Sequence, residues 1–216
     1  MSPEWKIFDS TLEYSSTLKK MEKKVEEIIA NESDEELWLL EHKPVYTAGT
    51  SSNPEDLLDK NNIPIFNAGR GGQYTYHGPG QRVMYLMLDL KKAFAPKEPD
   101  LRKYVFMLEQ IIINTLDDFD IKGERREGRI GIWVSNKGIE EKIAAIGIRV
   151  RKWVSFHGIA INVNPDLKNY QGIVPCGISE YGVCSFQSLG KKISLKQLDN
   201  RLKYNFYKIF SSYKNV

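Results

Sequence analysis

Arg70-Gly71-Gly72-Gln73-Tyr74-Thr75-Tyr76-His77-Gly78-Pro79-Gly80-Gln81 places four glycines, a proline, an arginine and a histidine within twelve positions. Glycine tolerates positive φ and close approach by other groups; proline fixes φ and removes a donor. The stretch therefore reads as a shaped loop with many free N–H groups, one permanent cation and one imidazole. It leads into Arg82-Val83-Met84-Tyr85-Leu86-Met87-Leu88-Asp89-Leu90, an apolar run of strand character. A shaped loop held on a buried strand is a common way to build a site. The plainer alternative is a β-hairpin turn.

Working outward, Trp5 to Asp9 reads as a short edge strand. Ser10-Thr11 is placed to cap a helix whose Leu18, Met21, Val25, Ile28 and Ile29 recur at helical spacing. Glu36 to Glu41 is an apolar strand running into a loop, His42 to Thr50, signalled by Pro44 and Gly49. Pro54 to Lys60 is a short helix, and Ile63 to Asn67 a strand entering the Gly-rich loop. Downstream, Lys91 to Pro99 is a break, and Asp100 caps a long helix with an apolar stripe of Tyr104, Val105, Leu108, Ile111, Ile112, Thr115 and Leu116. Ile121 to Arg129 is charged and expected to be mobile. Strands follow at Ile130–Val134, Lys142–Val150 and Val154–Val163, with a helical turn at Asp166–Tyr170. Gln171 to Ile178 forms a second Gly/Pro-shaped loop holding Cys176. Ser194-Leu195-Lys196-Gln197 caps a C-terminal helix (about 194–210) with Leu198, Leu202, Phe206 and Ile209 on one face. Helices interleave with antiparallel-looking strand pairs without a βαβ rhythm, which argues for an α+β single domain over 1–216, a mixed or antiparallel sheet flanked by helices.

Hydrophobic residues make up 41% of the 216 residues and charged residues 27%, the balance of an ordinary globular chain able to bury a sizeable core. A net charge of +3 falls short of a dedicated nucleic-acid binder. No apolar run is long enough to span a membrane, and the start lacks the core of a signal peptide. Two cysteines, Cys176 and Cys184, do not make a disulfide framework, so a reducing cytoplasm is expected.

Cys176, between Pro175 and Gly177, reads either as a presented nucleophile or as a small buried hydrophobe. Cys184, on an apolar alternating stretch, fits the second. A nucleophilic cysteine needs a base or cation nearby; the candidates are His77, His157 and a lysine. Lys142 opens a strand of small and apolar residues, where it is either a desolvated base or an ordinary strand-end surface lysine. His157 and His42 have an equally plain reading as hydrogen-bonded core histidines. Three scattered histidines and no CxxC or HExxH spacing argue against a metal, and neither a P-loop nor a dinucleotide fingerprint is present, so no cofactor is expected.

Five segments together resemble the lipoyl(octanoyl) transferases: Glu41 to Gly49, Arg70 to Gln81, Lys142 to Arg149, Val154 to Val163, and Gly172-Ile173-Val174-Pro175-Cys176-Gly177-Ile178. They occur in the family's order, within 41–178; the outer helices carry no signature. The resemblance implies a fold similar to the biotin and lipoate protein ligase catalytic domain. The implied reaction moves an octanoyl or lipoyl group from octanoyl-acyl carrier protein to a lysine on lipoyl domains of 2-oxoacid dehydrogenase E2 subunits and glycine cleavage H protein, in the first step of protein lipoylation. Cys176 would be the acyl-thioester nucleophile and Lys142 the partner that lowers its pKa or takes its proton. The acyl pocket would be lined by Arg70, Gly71, Gly72, Gln73, Tyr74, Thr75, Tyr76 and His77, by Ala145, Ile146 and Gly147, and by Gly158, Ile159 and Ala160. The segment Lys122 to Arg129 departs from the resemblance in being more basic than it implies; it would meet an acidic carrier protein or form a solvated loop. Two other readings remain: an ATP-dependent lipoate–protein ligase of the same fold, and a non-enzymatic module that binds acidic carriers.

Overall fold

The computed structural model describes residues 2–58, 63–174 and 181–214. Of the loop expected at Gln171–Ile178, residues 175–178, including Cys176, are outside these residues, while Gln171 and Gly172 end a 3-10 helix, Leu167–Gly172. The end of the helix expected at Pro54–Lys60 is also outside, and only a 3-10 turn, Pro54–Asp56, is described there.

An eight-stranded mixed sheet runs in the order β1 (Glu4–Leu12), β2 (Glu36–His42), β6 (Gln81–Met87), β10 (Val154–Asn162), β9 (Ile139–Arg151), β8 (Arg129–Asn136) and β7 (Glu124–Arg126), with β11 (Gly182–Val183) added against β9. The β1–β2 pair is parallel, joined by the crossover helix α1 (Tyr14–Ile29), while β2, β6, β10, β9, β8 and β7 pair antiparallel. A smaller sheet, β4 (Ile65–Asn67), β3 (Val45–Ala48) and β5 (Thr75–His77), lies beside it. The architecture is α+β with helices on both sheet faces.

Side chains alternate across a strand, so a strand covered on both sides must be apolar throughout. In β2, Leu37 and Leu39 join the core under α3 (Leu101–Asp117) and α4 (Leu195–Lys214), while Trp38 and Leu40 meet Met21, Val25 and Ile28 of α1. The same division separates Met84 and Leu86 from Val83, Tyr85 and Met87 in β6, which explains the unbroken apolar run read there. Asp100 caps α3 by accepting from Lys103 N at 3.1 Å. Ser194 and Gln197 form the reciprocal capping box of α4, at 3.2 and 2.9 Å. A buried bidentate pair ties α4 to β6: Arg82 Nε and Nη2 donate to Asp199 at 2.8 and 2.6 Å.

Three expectations change. Ser10 and Thr11 stay inside β1 and the N-cap of α1 is Glu13, whose carbonyl accepts from the Thr17 hydroxyl at 2.7 Å. The stretch His42–Thr50 contains a strand, β3, because β4 and β5 pair on either side of it. The expected loop 70–81 is likewise interrupted by β5. Among the described residues, no helix is long and apolar enough to cross a membrane.

Candidate active site

The Gly-rich loop is held by its own arginine. Arg70, nearly fully buried, donates from Nη1 to the Gly71 and Gln73 carbonyls at 3.0 and 3.1 Å, and from Nη2 to the Thr47 carbonyl and hydroxyl at 2.9 and 2.6 Å. A buried guanidinium needs such a set of acceptors to offset its desolvation. The backbone adds Thr50 N to Arg70 O at 2.8 Å and Gly71 N to Ile148 O at 3.0 Å, so the loop is bound to the end of β3 and to β9. This close approach excludes side chains at two places. A Cβ on Gly49 would lie 2.0 Å from Gly72 O, and one on Gly147 would lie 2.7 Å from Arg70 Cδ.

Under the loop is a cavity of about 460 Å³. The pairing of β8 with β9 reaches only to Ala144, so the next stretch of β9, Ala145 to Arg151, is paired with β10 but not with β8, and its Ala145 to Ile148 line the cavity. Of the residues the sequence nominates, Arg70, Gly71, Gly72, Gln73, Tyr74, Thr75, His77, Lys142, Ala145, Ile146, Gly147, Gly158, Ile159 and Ala160 line it. Tyr76 does not. Alternation along β5 sends its side chain into a separate cluster with Tyr46 and Tyr170, where its hydroxyl accepts from Asn169 Nδ2 at 2.9 Å. The sequence reading missed Tyr14, Val83, Tyr85, Leu101, Val105, Ile130 and Ile148 in the wall. Val83 and Tyr85 were legible as one face of a strand, but not as facing a cavity.

Lys142 is 5% exposed. Its Nζ donates to Ile130 O at 2.9 Å and lies 4.7 Å from the Trp133 ring centroid. A Cβ on Gly131 would stand 3.2 Å from Lys142 Cε, so the glycine makes room for the aliphatic stem. The reading of Lys142 as a surface lysine is therefore wrong. The partner assigned to it, Cys176, lies outside the described residues. The described chain next to that segment is tied to the lysine's own strand: Val183 pairs with Lys142, and Cys184 N donates to Lys142 O at 3.0 Å. Cys184 is fully buried, and burial pushes its thiol up to about 12, as expected of a packing residue.

All three histidines of the chain converge beside Arg70. His42 Nδ1 donates to Leu12 O at 3.1 Å, which leaves Nε2 to accept from the Tyr85 hydroxyl at 2.7 Å. His77 Nδ1 donates to Gln81 Oε1 at 2.7 Å. Burial lowers His42 to about 4 and, with Arg70 nearby, lowers His77 and His157 to about 3. All three are neutral imidazoles at neutral pH. His157 departs from a fully satisfied core histidine, because its Nε2 has no hydrogen-bond partner. Among the described residues three buried side-chain polar atoms lack partners, Tyr14 Oη, Arg129 Nη1 and His157 Nε2, and all three residues line the cavity.

The chain matches the family model of the lipoyl protein ligase A/B catalytic domain over residues 13–207. It belongs to that family. Among relatives, an octanoyltransferase of Wolbachia pipientis subsp. Culex pipiens is 54% identical over 207 residues, covering 96% of this chain and 99% of the relative. An octanoyltransferase of Bartonella bacilliformis is 54% identical over 216 residues, covering 96% and 88%. Similar solved structures include a lipoate-protein ligase A bound with ATP, with a TM-score of 0.73, 16% identity and 98% and 86% of the two chains covered. The biotin protein ligase of Aquifex aeolicus follows at 0.58, with 12% identity and coverage of 100% and 72%. At such identities these structures establish the shared lipoyl and biotin ligase fold.

Within this family member, the basic segment Lys122 to Arg129 includes the strand β7, paired with β8, and its cations have acidic partners. Lys122 pairs with Glu124 at 2.7 Å, Arg125 with Glu109 at 2.7 Å, Arg126 with Glu124 and Glu140, and Arg129 with Glu140 at 2.7 Å. The acids come from the strand itself, from α3 and from β9, elements the local charge count does not see.

Proposed function

We propose that this protein transfers an octanoyl group from octanoyl-acyl carrier protein to a lysine of lipoyl domains, through a thioester on Cys176. The observation that carries the reading is a buried lysine, Lys142, lining an apolar-walled cavity, in a chain about half identical to octanoyltransferases over nearly its whole length. The catalytic unit is read as the whole chain, 1–216, working in the cytoplasm. The acceptors are lipoyl domains of 2-oxoacid dehydrogenase E2 subunits and glycine cleavage H protein.

The Cys176 thiolate attacks the carrier thioester carbonyl, and the carrier thiol leaves with the proton held by Lys142. The acceptor lysine, as a free amine, then attacks the acyl-cysteine. Its surplus proton passes to Lys142, the amide forms and the Cys176 thiolate is released. One thioester replaces another in the first half, so no ATP is needed, and the difficult transfer is divided into two easier steps. Each methylene buried in the cavity is worth about 0.8 kcal/mol, which favours an eight-carbon chain over a short one. Neutral His77 and His157 are poor proton acceptors at neutral pH, which supports assigning proton transfer to Lys142. The second reading, an ATP-dependent ligase, rests on fold similarity to an ATP-bound relative of 16% identity, a level that speaks for the fold alone.

Intact mass after mixing with octanoyl-acyl carrier protein, without ATP, tests the reading. An octanoyl adduct on wild type, absent from Cys176→Ala and discharged by a lipoyl domain, is expected. No adduct, with transfer appearing only on addition of ATP and free acid, would put the ligase in its place.

A further inference from the structure

Two described stretches of chain bracket the segment that carries Cys176. Upstream, the 3-10 helix Leu167–Gly172 runs on to Ile173, which bridges to Leu57, and to Val174, whose N donates to Asp56 O at 2.7 Å. Downstream, Val183 pairs with Lys142, and Cys184 N donates to Lys142 O at 3.0 Å. The first stretch is thus tied to the turn after β3, and the second to β9.

One side chain joins the two. Asn162 ends β10 and is 3% exposed. Its Oδ1 accepts from the Tyr170 hydroxyl at 3.0 Å, in the upstream stretch. Its Nδ2 donates to Cys184 O at 3.0 Å, in the downstream one. A carbonyl can only accept, which fixes the orientation of the amide. The chain therefore leaves Asn162 at Tyr170 and returns to it at Cys184, with Cys176 between.

The amide is itself held. Gln81 of β6 is its register partner across the sheet and is also buried. Gln81 Nε2 donates to Asn162 Oδ1 at 3.0 Å and to the Tyr170 hydroxyl at 2.8 Å, and its Oε1 accepts from Nδ1 of the cavity-lining His77 at 2.7 Å. Two residues along the same face, the matching pair is Ala160 with Val83, so sheet pairing does not itself call for amides. Burying them has a desolvation cost that these bonds offset. What the amides add is a fixed point on two central strands, the most precise place to support a site.

We propose that Asn162 is a positioning residue of the transfer: by holding Tyr170 and Cys184 to one point of the sheet, it sets where Cys176 stands relative to Lys142. This rests on Cys176 being the nucleophile proposed above. Asn162 is not among the residues lining the cavity, so it acts through the chain it holds.

Three variants test it. Asn162→Ala removes both ties. Tyr170→Phe removes the upstream one and keeps the ring. Asn205→Ala controls for lost stability alone, since it removes a buried amide that joins α4 to Thr115 and Asp118, at 3.2 and 2.9 Å. The first measurement, hydrogen exchange read by mass spectrometry, does not depend on transfer. Peptides containing Val174 and Cys184 should exchange about tenfold faster in Asn162→Ala, the scale of one or two lost hydrogen bonds, and at the wild-type rate in Asn205→Ala. Unchanged exchange in Asn162→Ala would overturn the clamp. The second is single-turnover formation of the octanoyl adduct. At saturating octanoyl-acyl carrier protein the rate should fall about 100-fold in Asn162→Ala, the scale of a misplacement of about 1 Å, with KM for the carrier unchanged and Asn205→Ala at the wild-type rate. Tyr170→Phe should show both effects in smaller measure, and it decides alone if Asn162→Ala does not fold. Faster exchange with an unchanged adduct rate would make Asn162 a structural residue only and overturn the proposal. No adduct on the wild-type protein would instead remove the acyl-transfer reading, and the positioning role with it.

Discussion

Arg70 and Gly147 are pressed together: a methyl on Gly147 would lie 2.7 Å from Arg70 Cδ and 3.2 Å from Gly71 O. Gly147→Ala therefore has to displace the arginine that holds the Gly-rich loop. Overpacking of this kind costs about 1–3 kcal/mol. Gly49→Ala meets a backbone carbonyl, Gly72 O, at 2.0 Å, which has less freedom to move. Urea unfolding should rank Gly49→Ala below Gly147→Ala and both below wild type. Equal stability for all three would mean that the loop is not clamped in this way.

Lys142 is the buried base of the proposed transfer. Lys142→Met should slow octanoyl-adduct formation by about 100- to 10,000-fold, the usual contribution of a positioned acid or base. Lys142→Arg should not restore it, because a guanidinium keeps its proton. Single-turnover mass spectrometry reads both, and adduct formation by the arginine variant at the wild-type rate would remove the proton-transfer role.

Cys184 is a packing residue, and the proposed transfer puts the chemistry on Cys176. With its thiol raised to about 12, Cys184 has almost no thiolate at neutral pH. Iodoacetamide should label one site per folded molecule, and Cys184→Ala should retain adduct formation. Labelling that survives in Cys176→Ala at the same rate would reverse the assignment.

Acid should destabilise the fold through its histidines. Unfolded, these rings titrate near 6.5. Folded, burial keeps His42 neutral down to about 4, and His77 and His157 to about 3. Between those values the unfolded chain binds more protons, so stability is full above about pH 7 and falls as pH drops, by on the order of 1.4 kcal/mol per pH unit for each ring. Glu35 and Asp199, both raised by desolvation, act in the opposite direction at lower pH. Denaturant midpoints at pH 7.5, 6.5 and 5.5 should therefore fall progressively, and a flat profile would contradict the neutral cluster.

The C-terminal helix is fastened through Arg82 and Asp199. Asp199→Ala leaves a buried guanidinium uncompensated, a loss of about 3–5 kcal/mol. Replacing both residues together, Arg82→Met with Asp199→Leu, should be milder than the single change. Thermal unfolding of the three variants makes the comparison, and a double variant no more stable than Asp199→Ala would refute it.

Much of the site was legible because its residues are local in the chain. The Gly-rich loop, Lys142 and the Gly158–Ala160 strand stand out by residue type, and apart from Tyr76 they line one cavity. Tyr76 failed because proximity in a motif does not say which face of a strand a side chain takes, and pairing of β5 with β3 turned it away. Lys142 could not be read as buried from its neighbours alone; its burial follows from the register that brings Trp133 and Val183 against it.

By itself, the sequence determined what local forces control. It specified the capped helices α3 and α4, the doubly apolar strands β2, β6 and β10, and the glycines that admit a buried arginine. Periodicity and capping act within a few residues, so the chain displays them directly. The tertiary structure alone decided what meets across long separations. It made β3 a strand, neutralised Lys122 to Arg129 with acids from α3 and β9, and gathered His42, His77 and His157 around Arg70. Those outcomes depend on sheet order and register, which are set by the packing of whole faces and not by the residues on either side.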